Sequence, residues 1–229
     1  MPLTTIIWDW NGTLADDVGV ALQSVNDILA RRGREPITLS DYYSYIDTPI
    51  RRFYEHLFFP LDDALFDQIL VEFNEGYRLH MKDTGLMTGG KETLERFQKA
   101  GLRQFIISSS QVGELLHFCK LFGVEGYFQR ILGAEDYAAS GKVEMACRFL
   151  QEQRIAGEEC VVIGDTLHDW EMARAIGCPV CLLDRGHQGR KELEESGQPV
   201  FHQLEKVADF LFSGNFCKKY EKTVDRAGK

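Results

Sequence analysis

The sequence predicts an α/β protein built on a parallel β-sheet that helices cover on both faces. From residue 85 to residue 183, short uninterrupted apolar runs alternate with amphipathic runs of helical period. Such alternation is typical of parallel strands that are buried on both faces. Between residues 16 and 83 the pattern changes, because three helical segments follow one another without a convincing strand between them. We therefore also predict a block of helices inserted after the first strand.

The individual elements follow from apolar spacing and from the residues that end each segment. A first strand is predicted at 6–8, where an apolar run stops at Asp9 and an Asn-Gly turn follows. Helices inserted after it are predicted at 18–29, 50–58 and 65–79. Later helices are predicted at 91–100, 114–122, 143–153 and 170–176. The strands that alternate with them are predicted at 105–107, 131–132, 160–163 and 180–183.

The inserted helices suggest a division into two domains. A helical block placed after the first strand is expected over the carboxyl ends of the strands, where open parallel sheets bind ligands. We predict a Rossmann-like core domain at residues 1–15 and 84–213, an α-helical cap domain at 16–83 and a C-terminal tail at 214–229. The alternative is that these helices simply flank the sheet, which is less economical for three helices without a returning strand.

Composition excludes several classes of function. The formal net charge is −9 and no long basic stripe occurs, so nucleic acid is not an expected partner. No apolar run approaches the ~20 residues that a membrane helix requires, and the N-terminus reads as a strand rather than as a signal peptide. We therefore expect a cytoplasmic monomer or homodimer that binds neither nucleic acid nor membrane and keeps its six cysteines reduced.

Polar side chains follow several predicted strands and would meet at one edge of a parallel sheet. They form four clusters: Asp9 with Asn11 and Thr13; Ser108 with Ser109; Lys142; and Asp165 with Asp169. Phosphoryl transfer requires an anionic oxygen nucleophile, a divalent metal, donors for the phosphoryl oxygens and a fixed cation. Each member alone has an ordinary structural explanation, such as a hydroxyl that caps a helix. Their order within an α/β alternation is what indicates phosphoryl transfer.

Residues 6–17 resemble the nucleophile motif of the haloacid dehalogenase superfamily, whose members are mostly Mg²⁺-dependent phosphatases, and the later clusters match its other motifs in order. The resemblance implies that Asp9 forms an aspartyl-phosphate and binds Mg²⁺ together with Asp165, Asp169 and the backbone carbonyl of Asn11. It also implies that Lys142 neutralises Asp9 and the phosphate. The phosphoryl group would be bound by the hydroxyl residues Thr13, Ser108 and Ser109.

One residue departs from the motif, because Asn11 stands where the phosphatases of this family carry a second Asp. That acid protonates the leaving oxygen and then activates water, and an amide can do neither. Losing a general acid/base costs ~10²–10⁴-fold in rate, although an amide can still orient a water or the leaving oxygen. The missing proton transfer could come from elsewhere, and the candidate groups are His168, Asp16, Asp17 and His56.

Three interpretations of Asn11 stay open. The first is a phosphatase whose proton transfer is supplied elsewhere or hardly needed, as with an acyl phosphate substrate. The second is a phosphate-binding or regulatory protein that turns over poorly. The third is deamidation, since Asn11 precedes a glycine and some molecules would then regain a carboxylate. The retained Asp9, Lys142 and later acids favour the phosphatase.

Substrate choice is expected to lie in the inserted helices. Arg51 and Arg52 could clamp a substrate carboxylate or a second phosphate in bidentate fashion, or could form a surface pair on their helix. The expected substrate is a small phosphorylated metabolite, in the manner of phosphoglycolate phosphatase-like proteins.

Overall fold

The computed structural model describes residues 3–46, 49–135 and 141–213. Within them a six-stranded sheet has the order β3-β2-β1-β4-β5-β6, and all neighbouring strands are parallel. This confirms the predicted parallel sheet. Its strands are β1 (Thr5–Trp8), β2 (Arg103–Gln111), β3 (Arg130–Ala134), β4 (Cys160–Gly164), β5 (Val180–Leu183) and β6 (Val200–Phe201).

Helices cover both faces of the sheet, as the continuous apolar strands predict. Ile6 and Trp8 pack with Phe97 in one apolar cluster, whereas Ile7 packs with Phe149 in a second. The two clusters lie on opposite faces because successive side chains of a strand point to opposite sides. The helices of this part are α5 (Gly90–Lys99), α6 (Val112–Leu121), α7 (Lys142–Gln153), α8 (Leu167–Ala175), α9 (Arg190–Glu195) and α10 (Leu204–Phe212).

Among the residues that the structure describes, four α-helices lie between β1 and α5, one more than the sequence predicts. They are α1 (Val18–Arg31), α2 (Leu39–Tyr45), α3 (Arg51–Leu57) and α4 (Asp63–His80). The additional helix, α2, is short and begins with a capping box in which Thr38 and Asp41 bond reciprocally. These helices enclose an apolar cluster of their own, which includes Ile28 and Phe53. We call residues 18–83 the helical insertion; their role as a cap domain stays a prediction.

Sheet topology places the end of β1 at the centre of the molecule. Trp8 is the register partner of Ile106 on β2 and of Ile163 on β4. The chain leaves β1 between two strands whose connections run in opposite directions, which is where open α/β sheets bind ligands. The residues that follow these three strands therefore lie side by side.

Several boundaries differ from the sequence prediction. Strand β2 runs on through the serines to Gln111, with a register shift against β3 after Ile107. Helix α8 begins at Leu167, three residues earlier than the apolar spacing predicts, because Thr166 and Asp169 cap it. The predicted tail at 214–229 and residues 47–48 of the loop before Arg51 lie outside the described residues. Across the described part of the chain, no helix combines the length and apolarity needed to cross a membrane.

Candidate active site

The buried carboxylate of Asp9 lies directly after β1 and is bound by a buried lysine. The Asp9 backbone N–H donates to the carbonyl of Ile163 at 2.9 Å, which fixes the chain at the end of the strand. Lys142 is the first residue of α7, and its ammonium donates to Asp9 Oδ1 and, at 2.6 Å, to Asp169 Oδ1. One cation therefore bridges two carboxylates that come from different loops.

Asp169 divides its two oxygens between the site and its own helix. Oδ1 faces Lys142, whereas Oδ2 accepts from the Thr166 hydroxyl at 2.7 Å and from the Thr166 backbone N–H at 3.0 Å. The capping box of α8 thus also orients a site carboxylate. This explains why a Gly-Asp-x-x-x-Asp segment can place both acids at one sheet edge.

Asp165 is held on one side by residues 9–15, which follow β1 and which we call the nucleophile loop after the predicted role of Asp9, and on the other side by the loop after β5. Its Oδ1 accepts from the Thr13 hydroxyl at 3.0 Å, and its Oδ2 accepts from the His187 backbone N–H at 2.6 Å. A side chain at position 186 would not fit, because a Cβ on Gly186 would lie 2.1 Å from Asp165 Oδ2. The close approach of this loop depends on that glycine.

Oxygen atoms of Asp9, Asp165 and Asp169 all lie within 4.8 Å of one another. Burial raises the pKa of Asp9 to about 6 although Lys142 opposes the shift, and burial together with the charge of Asp9 raises the pKa of Asp165 well above its usual value. Burial also opposes ionisation of Asp169, but Lys142 outweighs it and lowers that pKa. The one ammonium of Lys142 bridges the buried carboxylates of Asp9 and Asp169, and the buried Asp165 lies beside them, so the group carries an excess of negative charge. We call Asp9, Lys142, Asp165 and Asp169 the nucleophile cluster, after the role that the sequence predicts for Asp9.

The side chain of Asn11 is fully engaged by neighbouring groups. Its Nδ2 donates to Asp17 Oδ2 and to the Tyr77 hydroxyl, each at 2.7 Å, and its Oδ1 accepts from the Ser110 hydroxyl at 2.5 Å. The backbone N–H of Gly12 donates to Asp17 Oδ1 at 2.6 Å. Deamidation of Asn11 would require this Gly12 nitrogen to attack the amide, and the nitrogen is held against Asp17 instead.

Asp17 also forms an ion pair with His187. The His187 Nε2 lies 3.2 Å from Asp17 Oδ1, and its Nδ1 lies 2.8 Å from the hydroxyl of Tyr42. Burial opposes the charged form of His187, but Asp17 outweighs it and raises the pKa to about 9. Burial likewise opposes ionisation of Asp17, and His187 and Asn11 outweigh it and lower its pKa. We call Asn11, Asp17, Tyr77 and His187 the Asp17 cluster.

The structure brings most of the predicted site residues to one place. Six of them lie within the two clusters or contact them: Asp9, Asn11, Thr13, Lys142, Asp165 and Asp169. Ser108 is buried on β2, where its hydroxyl oxygen accepts from the Ser110 N–H at 3.1 Å. Ser109 is the next residue of the same strand.

The two predicted arginines lie on α3 of the insertion. Arg51 contacts Asp63 at 2.9 Å and Glu55 at 3.3 Å and lies over the ring of Phe66, while Arg52 is exposed. Of the four groups proposed to replace the second acid, Asp17 is the one in hydrogen-bonding contact with Asn11.

Four residues that contact the site are not among the site residues that the sequence predicts: Tyr42, Tyr77, Ser110 and His187. His187 carries a usable signal, because it follows the strand predicted at 180–183 and the carboxyl ends of parallel strands share an edge. Tyr77 has none, since it lies on α4 among other aromatic residues and its partner Asn11 is 66 residues away.

Comparisons with known proteins identify a family for this chain. The family model described as haloacid dehalogenase-like hydrolase matches residues 6–183. A phosphoglycolate phosphatase from Thiobacillus denitrificans is 25% identical over 219 residues, covering 91% of this chain and 95% of that protein. A 5'-nucleotidase from Pseudomonas aeruginosa is 25% identical over 199 residues, covering 86% of this chain and 89% of the other.

Solved structures give the same fold. A haloacid dehalogenase-like family hydrolase from Streptococcus pneumoniae superposes with a TM-score of 0.78 at 18% identity and covers 91% of this chain and 98% of its own. A hydrolase from Pseudomonas syringae superposes with a TM-score of 0.74 at 20% identity and covers 92% of this chain and 98% of its own. The family match covers more than half of the chain, and the parallel sheet with flanking helices agrees with it. This chain belongs to the haloacid dehalogenase-like hydrolase family.

Proposed function

We propose that this haloacid dehalogenase-like phosphatase hydrolyses the phosphomonoester or acyl phosphate of a small metabolite, with Asp9 as the nucleophile and Mg²⁺ as the cofactor. The observation that carries the proposal is the buried Asp9 carboxylate, bound by Lys142 beside Asp165 and Asp169 at the carboxyl edge of the sheet. The related phosphoglycolate phosphatases and the 5'-nucleotidase support a small phosphorylated substrate.

The donor set fits a hard divalent cation. Carboxylate oxygens of Asp9, Asp165 and Asp169 would hold Mg²⁺, which prefers oxygen ligands, and the backbone carbonyl of Asn11 is the proposed further ligand. Across the two clusters, the carboxyl groups of Asp9, Asp17, Asp165 and Asp169 face the cations Lys142 and His187, so full ionisation of the four acids would leave an excess of two negative charges. A bound Mg²⁺ would offset that excess and neutralise charge on the phosphoryl oxygens.

The residues of the chain would carry the two chemical steps. A carboxylate oxygen of Asp9 attacks the phosphorus, and the bond from phosphorus to the leaving oxygen breaks. A water oxygen then attacks the same phosphorus, the bond to Asp9 breaks, and inorganic phosphate and the free carboxylate result. Lys142 keeps Asp9 ionised and oriented in both steps, because its ammonium is fixed by Asp169 as well.

Proton transfer to the leaving oxygen limits the range of substrates. Asn11 cannot donate a proton as an acid does, and Asp17, whose pKa is lowered, is ionised at neutral pH. An acyl phosphate leaves as a carboxylate and needs little protonation. The site therefore favours substrates with good leaving groups, and we expect slower turnover of simple alkyl phosphates.

Substrate binding is proposed to involve the hydroxyl residues at the site and the helical insertion above it. Ser108 and Ser109 would bind phosphoryl oxygens, and closure of the insertion would exclude bulk water from the acyl-phosphate intermediate. The contacts of Arg51 within the insertion favour a structural role for that residue, and binding of a substrate acid group by Arg51 or Arg52 stays a prediction.

The test is Mg²⁺-dependent phosphate release across a panel of small phosphorylated metabolites and acyl phosphates. Wild type is compared with Asp9→Asn, which keeps the shape of the side chain, and with Asp27→Asn, whose carboxylate lies on α1 and pairs with His80. We expect release by wild type and Asp27→Asn, loss of release in Asp9→Asn, and loss in wild type after chelation of the metal. Wild type that binds phosphate with Mg²⁺ but releases none from any substrate would instead indicate a phosphate-binding protein.

A further inference from the structure

We propose that Asn11 and Asp17 form a complementary amide–carboxylate pair whose two groups could exchange positions, and that Asp17 is a positioning residue for the nucleophile loop. The site would then require one amide and one carboxylate at these two positions, rather than an acid at position 11. The kinetic part of this inference rests on the phosphatase function proposed above, whereas its stability part does not.

Asp17 organises the donors around it. Among the described residues, its Oδ1 accepts from the Gly12 backbone N–H at 2.6 Å and from His187 Nε2 at 3.2 Å, and its Oδ2 accepts from Asn11 Nδ2 and from the Tyr77 hydroxyl, each at 2.7 Å. The side chain is 0% exposed, so no water replaces a missing partner cheaply. An ionised carboxylate only accepts hydrogen bonds, so each of these groups must donate.

Asn11 is complementary to that demand. Both protons of its Nδ2 are used, one toward Asp17 and one toward Tyr77, while its Oδ1 accepts from Ser110. Tyr77 closes the set, since its hydroxyl oxygen accepts from Asn11 and its proton goes to Asp17. The donors and acceptors around the two positions therefore match an amide at position 11 and a carboxylate at position 17.

The same contacts link the nucleophile loop to the helical insertion. Asp17 directly precedes α1, and its carbonyl accepts from the Ala21 N–H at 2.8 Å. Its side chain fixes Gly12, which lies in the left-handed region with φ +67° and leaves no room for a Cβ against Asp165 Oδ2 at 2.3 Å. A displaced Asp17 would therefore move the turn that carries Asp9.

Two consequences follow for substitutions. Asn11→Asp alone would place two carboxyl oxygens at the 2.7 Å contact, where they repel each other unless one group takes up a proton, so restoring the family's residue at position 11 is expected to harm the protein at neutral pH. In the double variant Asn11→Asp/Asp17→Asn the donor simply changes sides. The amide at position 17 would donate to position 11 and still accept from Gly12 and His187, while Tyr77 and Ser110 would donate to the new carboxylate.

The experiment is a double-mutant cycle of Asn11→Asp, Asp17→Asn and the double variant, with Asp27→Asn as the control for loss of a carboxylate that is 31% exposed. We expect each single variant to lower kcat ~10-fold or more with KM changed less than ~2-fold, and to lower Tm by ~3 °C or more. The double variant is expected to recover most of both losses. Asp27→Asn should change neither.

Two results would overturn the proposal. One is an Asn11→Asp single variant that is as stable and as active as wild type or better. The other is a double variant whose losses are the sum of the two single losses, since independent positions add. If wild type and all variants release no phosphate, the phosphatase function has failed. The Tm values of the cycle still decide whether the amide and the carboxylate can exchange positions.

Discussion

The nucleophile cluster and the Asp17 cluster lie side by side at the end of β1, and they are built in opposite ways. In the first, one ammonium bridges two carboxylates and a third carboxylate lies nearby, so negative charge is in excess. In the second, one carboxylate collects donors from a backbone N–H, an amide, a tyrosine and a histidine. A site with unbalanced charge is suited to bind a metal and react, whereas a saturated one is suited to hold its neighbour in place.

The two clusters also differ in where their residues come from. The nucleophile cluster uses side chains from loops and helix starts at the sheet edge alone. The Asp17 cluster includes Tyr77 of α4, and His187 is bound in turn by Tyr42 of α2. The helical insertion thus contacts the nucleophile loop through the Tyr77 hydroxyl and the loop after β5 through the Tyr42 hydroxyl, so the position of the insertion and the shape of the active site depend on each other.

The largest effect is expected from Lys142→Met, which removes the bridging cation of the nucleophile cluster and keeps a long side chain. Asp9 and Asp169 would be left buried without their partner, and breaking a buried pair in this way costs about 3–5 kcal/mol. Urea unfolding in metal-free buffer measures the loss, and phosphate release should fall to background.

Lys99→Met is the matched control for that variant. The Lys99 side chain is 79% exposed and lies 3.7 Å from Glu95, so its removal should change stability by less than ~0.5 kcal/mol. A loss below ~1 kcal/mol for Lys142→Met would show that the two carboxylates do not depend on this cation.

His187 gives the Asp17 cluster a pH dependence of its own. Its pKa in the folded protein is raised from 6.5 to about 9, so the folded state holds the proton more tightly than the unfolded state. The stabilisation is fully present below pH 6.5 and is lost as the pH rises through 9, with an upper limit of about 3 kcal/mol. We expect the free energy of unfolding of wild type to fall across this window, and that of His187→Gln to fall less.

Unfolding by urea at several pH values between 6 and 9.5 provides the comparison. His202→Gln is the control, because its ring pairs with Asp184 at the surface and is 67% exposed. Parallel pH profiles for wild type and His187→Gln would contradict an ion pair between His187 and Asp17.

A smaller effect is expected from Arg51→Ala, which tests whether the insertion uses this residue for its own structure or for the substrate. The change removes the ion pairs with Asp63 and Glu55 and the contact with the ring of Phe66, which together should cost about 1 kcal/mol. We expect KM to change less than ~2-fold. An increase of KM of ~10-fold with unchanged stability would support the substrate clamp that the sequence predicts, and Arg31→Ala serves as a control from the surface of α1.

The smallest effect concerns the amide of Asn11 in the folded protein. Because the Gly12 nitrogen is bound to Asp17 and the amide has three hydrogen-bond partners among the described residues, we expect no detectable deamidation during storage. Peptide mapping by mass spectrometry measures it, with protein kept in urea as the positive control. Deamidation at equal rates in folded and unfolded protein would show that these contacts do not protect the amide.

The fold and the nucleophile cluster were predictable because the signals are local. Continuous apolar runs identify buried parallel strands, and parallel strands place their carboxyl ends at one edge, so Asp9 and Asp165 were expected at that edge. The pairing of β1 with β4 then makes them neighbours. Lys142 is the first residue of α7 and Asp169 lies in the first turn of α8, and position near a helix start is readable from the sequence.

The Asp17 cluster was not predictable in the same way. Two consecutive aspartates after the motif are typical of a solvated loop, and the sequence does not show which of them is buried. In the structure Asp17 is buried against Tyr77 and His187, whereas Asp16 lies 3.8 Å from Arg185. Helix α2 depended on a capping box rather than on apolar spacing, so the period alone missed it.

The amino-acid pattern thus indicates that the sheet is parallel, where most of its strands lie and which acids follow them, because these features depend on neighbours within about one element. Contacts such as that of Asn11 with Tyr77, 66 residues apart, or of Asp17 with His187, 170 residues apart, depend on how the helical insertion packs over the sheet. That packing is the sum of many weak apolar contacts. It leaves no local mark on the residues whose polar groups it brings together.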